Sequence, residues 1–236
     1  MIDPDWAAPW FAPYAGVGEP VLARLRAGQP VYAALAHPRF EPDGARQPAD
    51  EGYEAYVART GRVPTRHNAH DLFNGLVWLR NPVFKRALNE AHQTAPPAPA
   101  GRRGPVRDAL TLLDESGILL VAPAPLRAAL RAQDWPAVFI WGRTAWQGAQ
   151  MRIVGHALLE KLLQPRKAWC ARVLFVDDLD APALPADLSP GLLPPLPVLG
   201  IPGWWPANEE EGFYADDRVF RPKRLASAPA TGGFAC

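Results

Sequence analysis

Residues 64–92 read PTRHNAHDLFNGLVWLRNPVFKRALNEAH, and the reading of this stretch decides the fold. Side chains three and four apart share a helix face, so a helix opening near Arg66 or His67 sets His67, His70, Asp71, Asn74 and Trp78 on one side. Leu72, Phe73, Leu76 and Val77 then face a core. Asn81-Pro82 breaks the helix, and Pro82 suits the first position of a second one, over about 82–92. Lys85, Asn89 and His92 share a face of that second helix. Three of the five histidines lie in this stretch, which predicts a helix pair with one dry side and one chemically equipped side.

Working outward, Pro105 opens a third helix through Glu115, with Asp108, Thr111 and Glu115 on one face and Ser116-Gly117 as its stop. Continuous apolar runs of strand length at 118–122, 137–141 and 171–176 predict a small buried sheet. Residues 151–154 read as strand or helix. A helix from Gly155 to Leu163 carries His156 and Glu160 four apart over Leu158, Leu159, Leu162 and Leu163. Toward the N-terminus, residues 1–20 read as an extended arm packed by Trp6, Trp10, Phe11 and Tyr14, followed by a helix over 19–27. Residues 31–35 read as strand or turn, 53–60 as strand or short helix, and 125–133 as helix. The loop at 94–104 and the tail at 223–236 are expected to be flexible. From Pro182 onward the chain is rich in proline. Its run of Leu, Val, Ile and Trp over 192–206 predicts a buried wrapping segment with polyproline-like backbone, in preference to an exposed partner ligand. The expected architecture is a single α+β domain over residues 1–236, a small mixed sheet with packed helices and a long irregular Pro-rich C-terminal wrap.

Composition excludes several classes. A hydrophobic share of 48% with 21% charged residues belongs to a water-soluble globular chain. The formal charge of +1 gives no electrostatic footprint for nucleic acid or an anionic membrane. Arg102, Arg103 and Arg107 lie close together, but the balanced charge outweighs them. No apolar run reaches the ~20 residues that span a bilayer, and Met-Ile-Asp-Pro-Asp-Trp is no signal peptide; a cytoplasmic location is expected. Two cysteines, Cys170 and Cys236, make no disulfide framework or zinc-ligand spacing, and Cys170 is expected to be buried and inert at a strand start. Ser116 and Ser189 lack a GxSxG elbow, and no phosphate-cradling glycine loop occurs.

Several stretches together resemble the DUF3025 family, bacterial proteins of unknown function. They are His70-Asp71-Leu72-Phe73-Asn74-Gly75-Leu76-Val77-Trp78 with Pro82, Lys85 and Asn89; Arg107-Asp108 with Asp114-Glu115-Ser116-Gly117; Gly155-His156 through Lys161; and Pro197-Val198-Leu199-Gly200-Ile201-Pro202-Gly203-Trp204-Trp205-Pro206 through Pro222. The resemblance covers about residues 50–222. Ala69 and Arg80-Asn81 depart from the family pattern, which calls for an aromatic and an apolar-aromatic pair, and are expected to loosen the packing near the ends of the central helix. The resemblance implies bacterial origin and a shared constellation, and carries no activity.

The polar candidates sit on four predicted helices, which can converge on one pocket. One reading is a metal-dependent hydrolase. His70, Asp71 and His156 are the expected ligands of a divalent ion, and Glu160 or Glu115 the general base. Lys85 or Arg107 would stabilise developing negative charge; Asn74, Asn89 and Asp108 would contact substrate. The other reading is a binding or scaffold protein. In it the polar cluster is a buried hydrogen-bond network, Lys85 and Arg107 are plain ion-pair partners, and the aromatics of the arm with Trp204-Trp205 meet a protein partner.

Overall fold

The computed structural model describes residues 2–45, 51–96 and 104–223. In chain order the elements are α1 (Ala15–Arg26), α2 (Val31–Ala34), β1 (Phe40–Pro42), α3 (Tyr53–Thr60), β2 (Val63–Thr65), α4 (Ala69–Arg80), α5 (Pro82–Thr94), α6 (Pro105–Ser116), β3 (Gly117–Val121), α7 (Ala124–Ala132), α8 (Trp135–Phe139), β4 (Gln150–Ile153), α9 (His156–Lys161), β5 (Cys170–Phe175) and β6 (Pro195–Pro197). The main sheet has the order β4-β3-β5-β6. Its centre, β3, lies parallel to β5 and antiparallel to β4, and β1 and β2 form a separate parallel pair. Ile118, Leu119 and Leu120 of β3 are fully buried, as a continuous apolar run in a covered sheet requires. The α+β class is observed, and one contiguous apolar core joins the helices, the sheet and the C-terminal segment.

The central helix starts later than the sequence pattern suggests. Asn68 is its N-cap, accepting from Asp71 N at 2.7 Å. His67 therefore lies outside the helix, and its Nδ1 accepts from Val31 N at 3.2 Å. Leu72, Phe73, Leu76 and Val77 are buried as expected.

Two strand readings change, and one left open between strand and helix resolves as helix. Residues 137–141 are not a strand: Asp134 caps Ala137 N at 3.1 Å, Pro136 occupies the first turn, and α8 results. Its Phe139 is the hub of an aromatic cluster with Trp135, Trp146, Tyr214 and Phe220. The strand beside β3 is β4 instead. Residues 31–34 are helical, as are 53–60.

The wrap is buried at Leu193, Leu196, Val198, Leu199 and Ile201. Its backbone is a strand and a run of 3-10 turns rather than polyproline. Fully buried Asn208 pins it, donating to the carbonyls of Leu199 and Ile201 at 2.7 Å each.

At the N-terminus, turns and α1 replace the extended arm beyond residue 11. Trp10 packs against Trp204 with ring centroids 6.1 Å apart, so these aromatics largely cover one another. Cys170 is exposed, not buried. Arg80 and Asn81 do not loosen their corner. Buried Asn81 accepts from Arg152 and donates to Tyr14 Oη at 3.0 and 3.1 Å, while Arg80 Nε donates to Pro13 O at 3.2 Å. The expected flexibility at 97–103 and 224–236 falls outside the described residues. No helix of the described residues is long and apolar enough to cross a membrane.

At one crossing two backbones touch. Gly117 O accepts from both Val154 N and Gly155 N at 2.9 Å. A Cβ on Gly155 would lie 2.4 Å from Gly117 N and from Ser116 Cα. Backbone atoms cannot swing aside as a side chain would, so Gly155→Ala is expected to destabilise the fold by roughly 2–3 kcal/mol, at the upper end of overpacking costs. Chemical denaturation of the two proteins checks this, with Gly148→Ala, where a Cβ would meet nothing within 4 Å, as the neutral control.

Candidate functional site

The glycine crossing sets the site. Glu115, two residues before Gly117 on α6, and His156, one residue after Gly155 at the start of α9, emerge side by side. Helix α4 packs on α9 and brings in His70. The two imidazoles stand edge to face with centroids 4.4 Å apart, and their Nε2 atoms are 2.9 Å apart. Glu115 Oε2 lies 3.8 Å from His156 Nε2. One ligand atom from each of the three residues falls within 4.8 Å of the others.

Carboxylates stand behind both rings. Glu160 Oε2 is 3.2 Å from His70 Nδ1. Asp114 Oδ2 is 3.7 Å from His156 Nδ1, too far for a hydrogen bond, and this buried nitrogen has no other partner. A ring nitrogen facing a carboxylate carries its proton, which leaves the opposite nitrogen as an acceptor. For His70 that acceptor is Nε2, and His156 Nε2 faces it at hydrogen-bond distance with Glu115 beside the pair. Burial holds His156 down at about 4, against the opposing pull of Asp114. Burial, then the charge of Asp114, raises Glu115 above the usual carboxylate range. Asp114 itself is driven up by burial, but the charges of Lys85 and His156 outweigh that and leave it below its ordinary value.

A second, closed network adjoins the first. Buried Lys85 forms an ion pair with Asp114 and donates to Asn74 Oδ1 at 2.8 Å. Asn74 Nδ2 donates to Tyr53 Oη at 3.1 Å. Asp71 is occupied separately. Arg66 Nε and Nη2 reach its two oxygens at 3.1 and 2.9 Å, and Arg66 N donates to it at 2.6 Å.

The structure thus brings together His70, His156, Glu115 and Glu160, with Asn74 and Lys85 beside them. Asp71 and Glu115 exchange places relative to the sequence reading, since Glu115 joins the histidines while Asp71 is clamped by Arg66. Glu160 sits behind His70 rather than pairing with His156. Lys85 is enclosed by Asp114 and Asn74 rather than open to a reacting group. His70, Asp71, Asn74, Asp114, Glu115, His156 and Tyr53 line a cavity of about 340 Å³.

An adjoining cavity of about 500 Å³ is lined by His92, Arg107 and Thr111, and Glu54 and Glu115 border both. Arg107 is therefore next door to the histidine pair. His92 is half-buried, and burial lowers its pKa. Asn89 is spent on Glu54 O at 2.9 Å, and Asp108 lines neither cavity. Asp114 and Tyr53 are the additions the sequence did not single out for roles. Asp114 is signalled by its place in the Asp114-Glu115-Ser116-Gly117 motif, and Tyr53 by nothing local.

His156 carries a stability consequence. Its folded pKa lies below the ordinary 6.5, so between those values the unfolded chain binds more protons and stability falls as pH falls. The metal-free protein should lose stability between about pH 6.5 and pH 4, by on the order of 3 kcal/mol at the acid end. Urea midpoints across that range check this, and His156→Gln should flatten the dependence.

No curated protein and no solved structure matches this chain. The profile of the proteins of unknown function DUF3025 matches residues 39–189 and 185–224, which hold every residue of the histidine cluster and of the closed network. The chain therefore belongs to the DUF3025 family.

Proposed function

We propose that this protein is a metal-dependent hydrolase whose ion is held by His70, Glu115 and His156, with Glu160 and Asp114 orienting the imidazoles from behind. The observation that carries the reading is the pair of Nε2 atoms facing each other 2.9 Å apart while a carboxylate faces each Nδ1. An ion at that point would take up both imidazole nitrogens and the nearby Glu115 carboxylate at once, where a shared proton serves the two rings alone. The donor set of two imidazoles and a carboxylate suits zinc or a similar borderline ion. Three protein ligands beside a cavity leave a further position for water or substrate, the pattern of catalytic rather than structural sites. A bound ion there supplies Lewis acidity and lowers the pKa of its water. The chain's own residues prepare the ligands: Glu160 orients His70, and burial favours the neutral form of His156.

A binding or scaffold role is the second reading, favoured by the network in which Lys85, Asp114 and Asn74 pair with one another without chemistry.

Metal titration followed by elemental analysis separates the two. The hydrolase reading expects one zinc or manganese equivalent per chain, abolished by His70→Ala or His156→Ala. Glu160→Gln should weaken affinity by roughly 10- to 100-fold, the usual effect of losing a residue that orients a ligand. Asp71→Asn should leave metal affinity unchanged. A folded wild-type protein that takes up no metal favours the scaffold.

A further inference from the structure

The closed network has a direction, and that direction ends in the cavity. A lysine ammonium is only a donor, so the Asn74 atom that it reaches at 2.8 Å must be the carbonyl oxygen. The amide NH₂ is then the group 3.1 Å from Tyr53 Oη, and it donates there. Tyr53 Oη is therefore an acceptor toward Asn74, and its own O–H must point elsewhere. No described residue accepts from it, and Tyr53 lines the same cavity as the three ligand candidates. Burial keeps this phenol protonated far above neutral pH, so it acts as a donor and not as a base.

The charge of the cavity narrows what that donor meets. Among the described lining residues, Asp43, Glu54, Asp71, Asp114 and Glu115 face a single guanidinium, Arg66. Arg66 is itself spent on Asp71, and Lys85 beneath the wall neutralises Asp114. Even with a divalent ion on the histidines, such a wall disfavours a phosphate dianion and accepts an uncharged or cationic molecule.

We infer that the site acts on an uncharged or cationic carboxylic ester or amide, and that Tyr53 Oη–H is a catalytic residue, donating to the acyl oxygen as it gains negative charge. This rests on the hydrolase reading. One water is consumed. Its oxygen bonds to the acyl carbon, the bond to the leaving alcohol or amine breaks, and the leaving group departs with a proton from the water. Tyr53 gives a hydrogen bond and keeps its own proton. Removing one such donor typically costs about 10²–10³-fold in kcat.

The test uses the zinc-loaded full chain with acetohydroxamic acid as an acyl-like probe, measured by calorimetry. Tyr53→Phe should bind the probe about tenfold more weakly, as the loss of one hydrogen bond predicts, with zinc affinity unchanged and the thermal midpoint lowered by the lost Asn74 contact. Asn74→Asp should reproduce the loss, because a carboxylate at that position accepts from Tyr53 and turns its proton away from the cavity; its zinc affinity is measured alongside. Hydrolysis of p-nitrophenyl acetate by the same samples should fall in both variants and exceed that of p-nitrophenyl phosphate in wild type. Equal probe affinity in wild type and Tyr53→Phe overturns the role of Tyr53 while leaving the metal centre standing. Faster turnover of the phosphate overturns the substrate class. Failure of wild type to bind zinc removes the hydrolase reading beneath both.

Discussion

The contact on which the rest depends is the backbone crossing of Ser116–Gly117 with Gly155. Gly117 O takes two amide protons from the incoming strand, which fixes the start of β3 against the end of β4 and satisfies groups that would be costly to bury unpaired. The approach is too close for a Cβ on Gly155. Because α6 runs into β3 without a loop, and α9 starts directly after Gly155, the crossing also places Glu115 and His156. Two site residues far apart in the chain are thus positioned by one rigid contact rather than by loops. Sites supported this way hold their geometry more tightly than sites built on loops. His70 is added by packing alone, since α4 lies on α9.

Around that frame the charges divide into two kinds. Lys85–Asp114 and Arg66–Asp71 are pairs already made. The first is largely withdrawn from solvent, the second half-open, with Arg66 59% accessible. Breaking a buried pair by removing one partner leaves an uncompensated charge and costs several kcal/mol, although the intact pair contributes little net stability. Their value here is orientation. Lys85 fixes Asp114 behind His156 and fixes the amide of Asn74 in one sense. Arg66 draws Asp71 toward the start of α4, where a carboxylate is also favoured by the helix N-terminus. The histidine pair with Glu115 is of the other kind, because its charges and lone pairs are not balanced by neighbours.

Much of this was legible in the residues. The apolar stripe of α4, the break at Asn81-Pro82, helix α6 and strands β3 and β5 all follow from periodicity and stop signals, and the histidines, Glu115 and Glu160 stand out by type. What failed did so for identifiable reasons. Residues 137–141 are apolar enough for a strand, but the cap at Asp134 and the proline after it select a helix. His67 shares the helical spacing of His70, yet the Asn68 cap starts the helix beyond it. Proline in β6 argues against a strand by rule, and β6 complies by being an edge. Asp71 and Glu115 could not be told apart by spacing, because the difference lies in where Arg66 reaches. Tyr53 is invisible locally; its importance comes from a three-residue relay that exists only when α3, α4 and α5 are packed.

The facing imidazoles can be examined by placing protons. If neutral His156 carried its proton on Nε2, its Nδ1 lone pair would face Asp114 across 3.7 Å. If neutral His70 did so, its Nδ1 lone pair would face Glu160 across 3.2 Å. Either choice sets an electron pair against a carboxylate. The arrangement that avoids both has protons on the two Nδ1 atoms and one extra positive charge between the two Nε2 atoms. A proton shared along the 2.9 Å line supplies that charge, and an ion held by all three residues would engage Glu115 as well, whose pKa is raised by burial and by the charge of Asp114. The cluster thus gathers two imidazoles and a carboxylate within 4.8 Å of one another at the wall of the cavity.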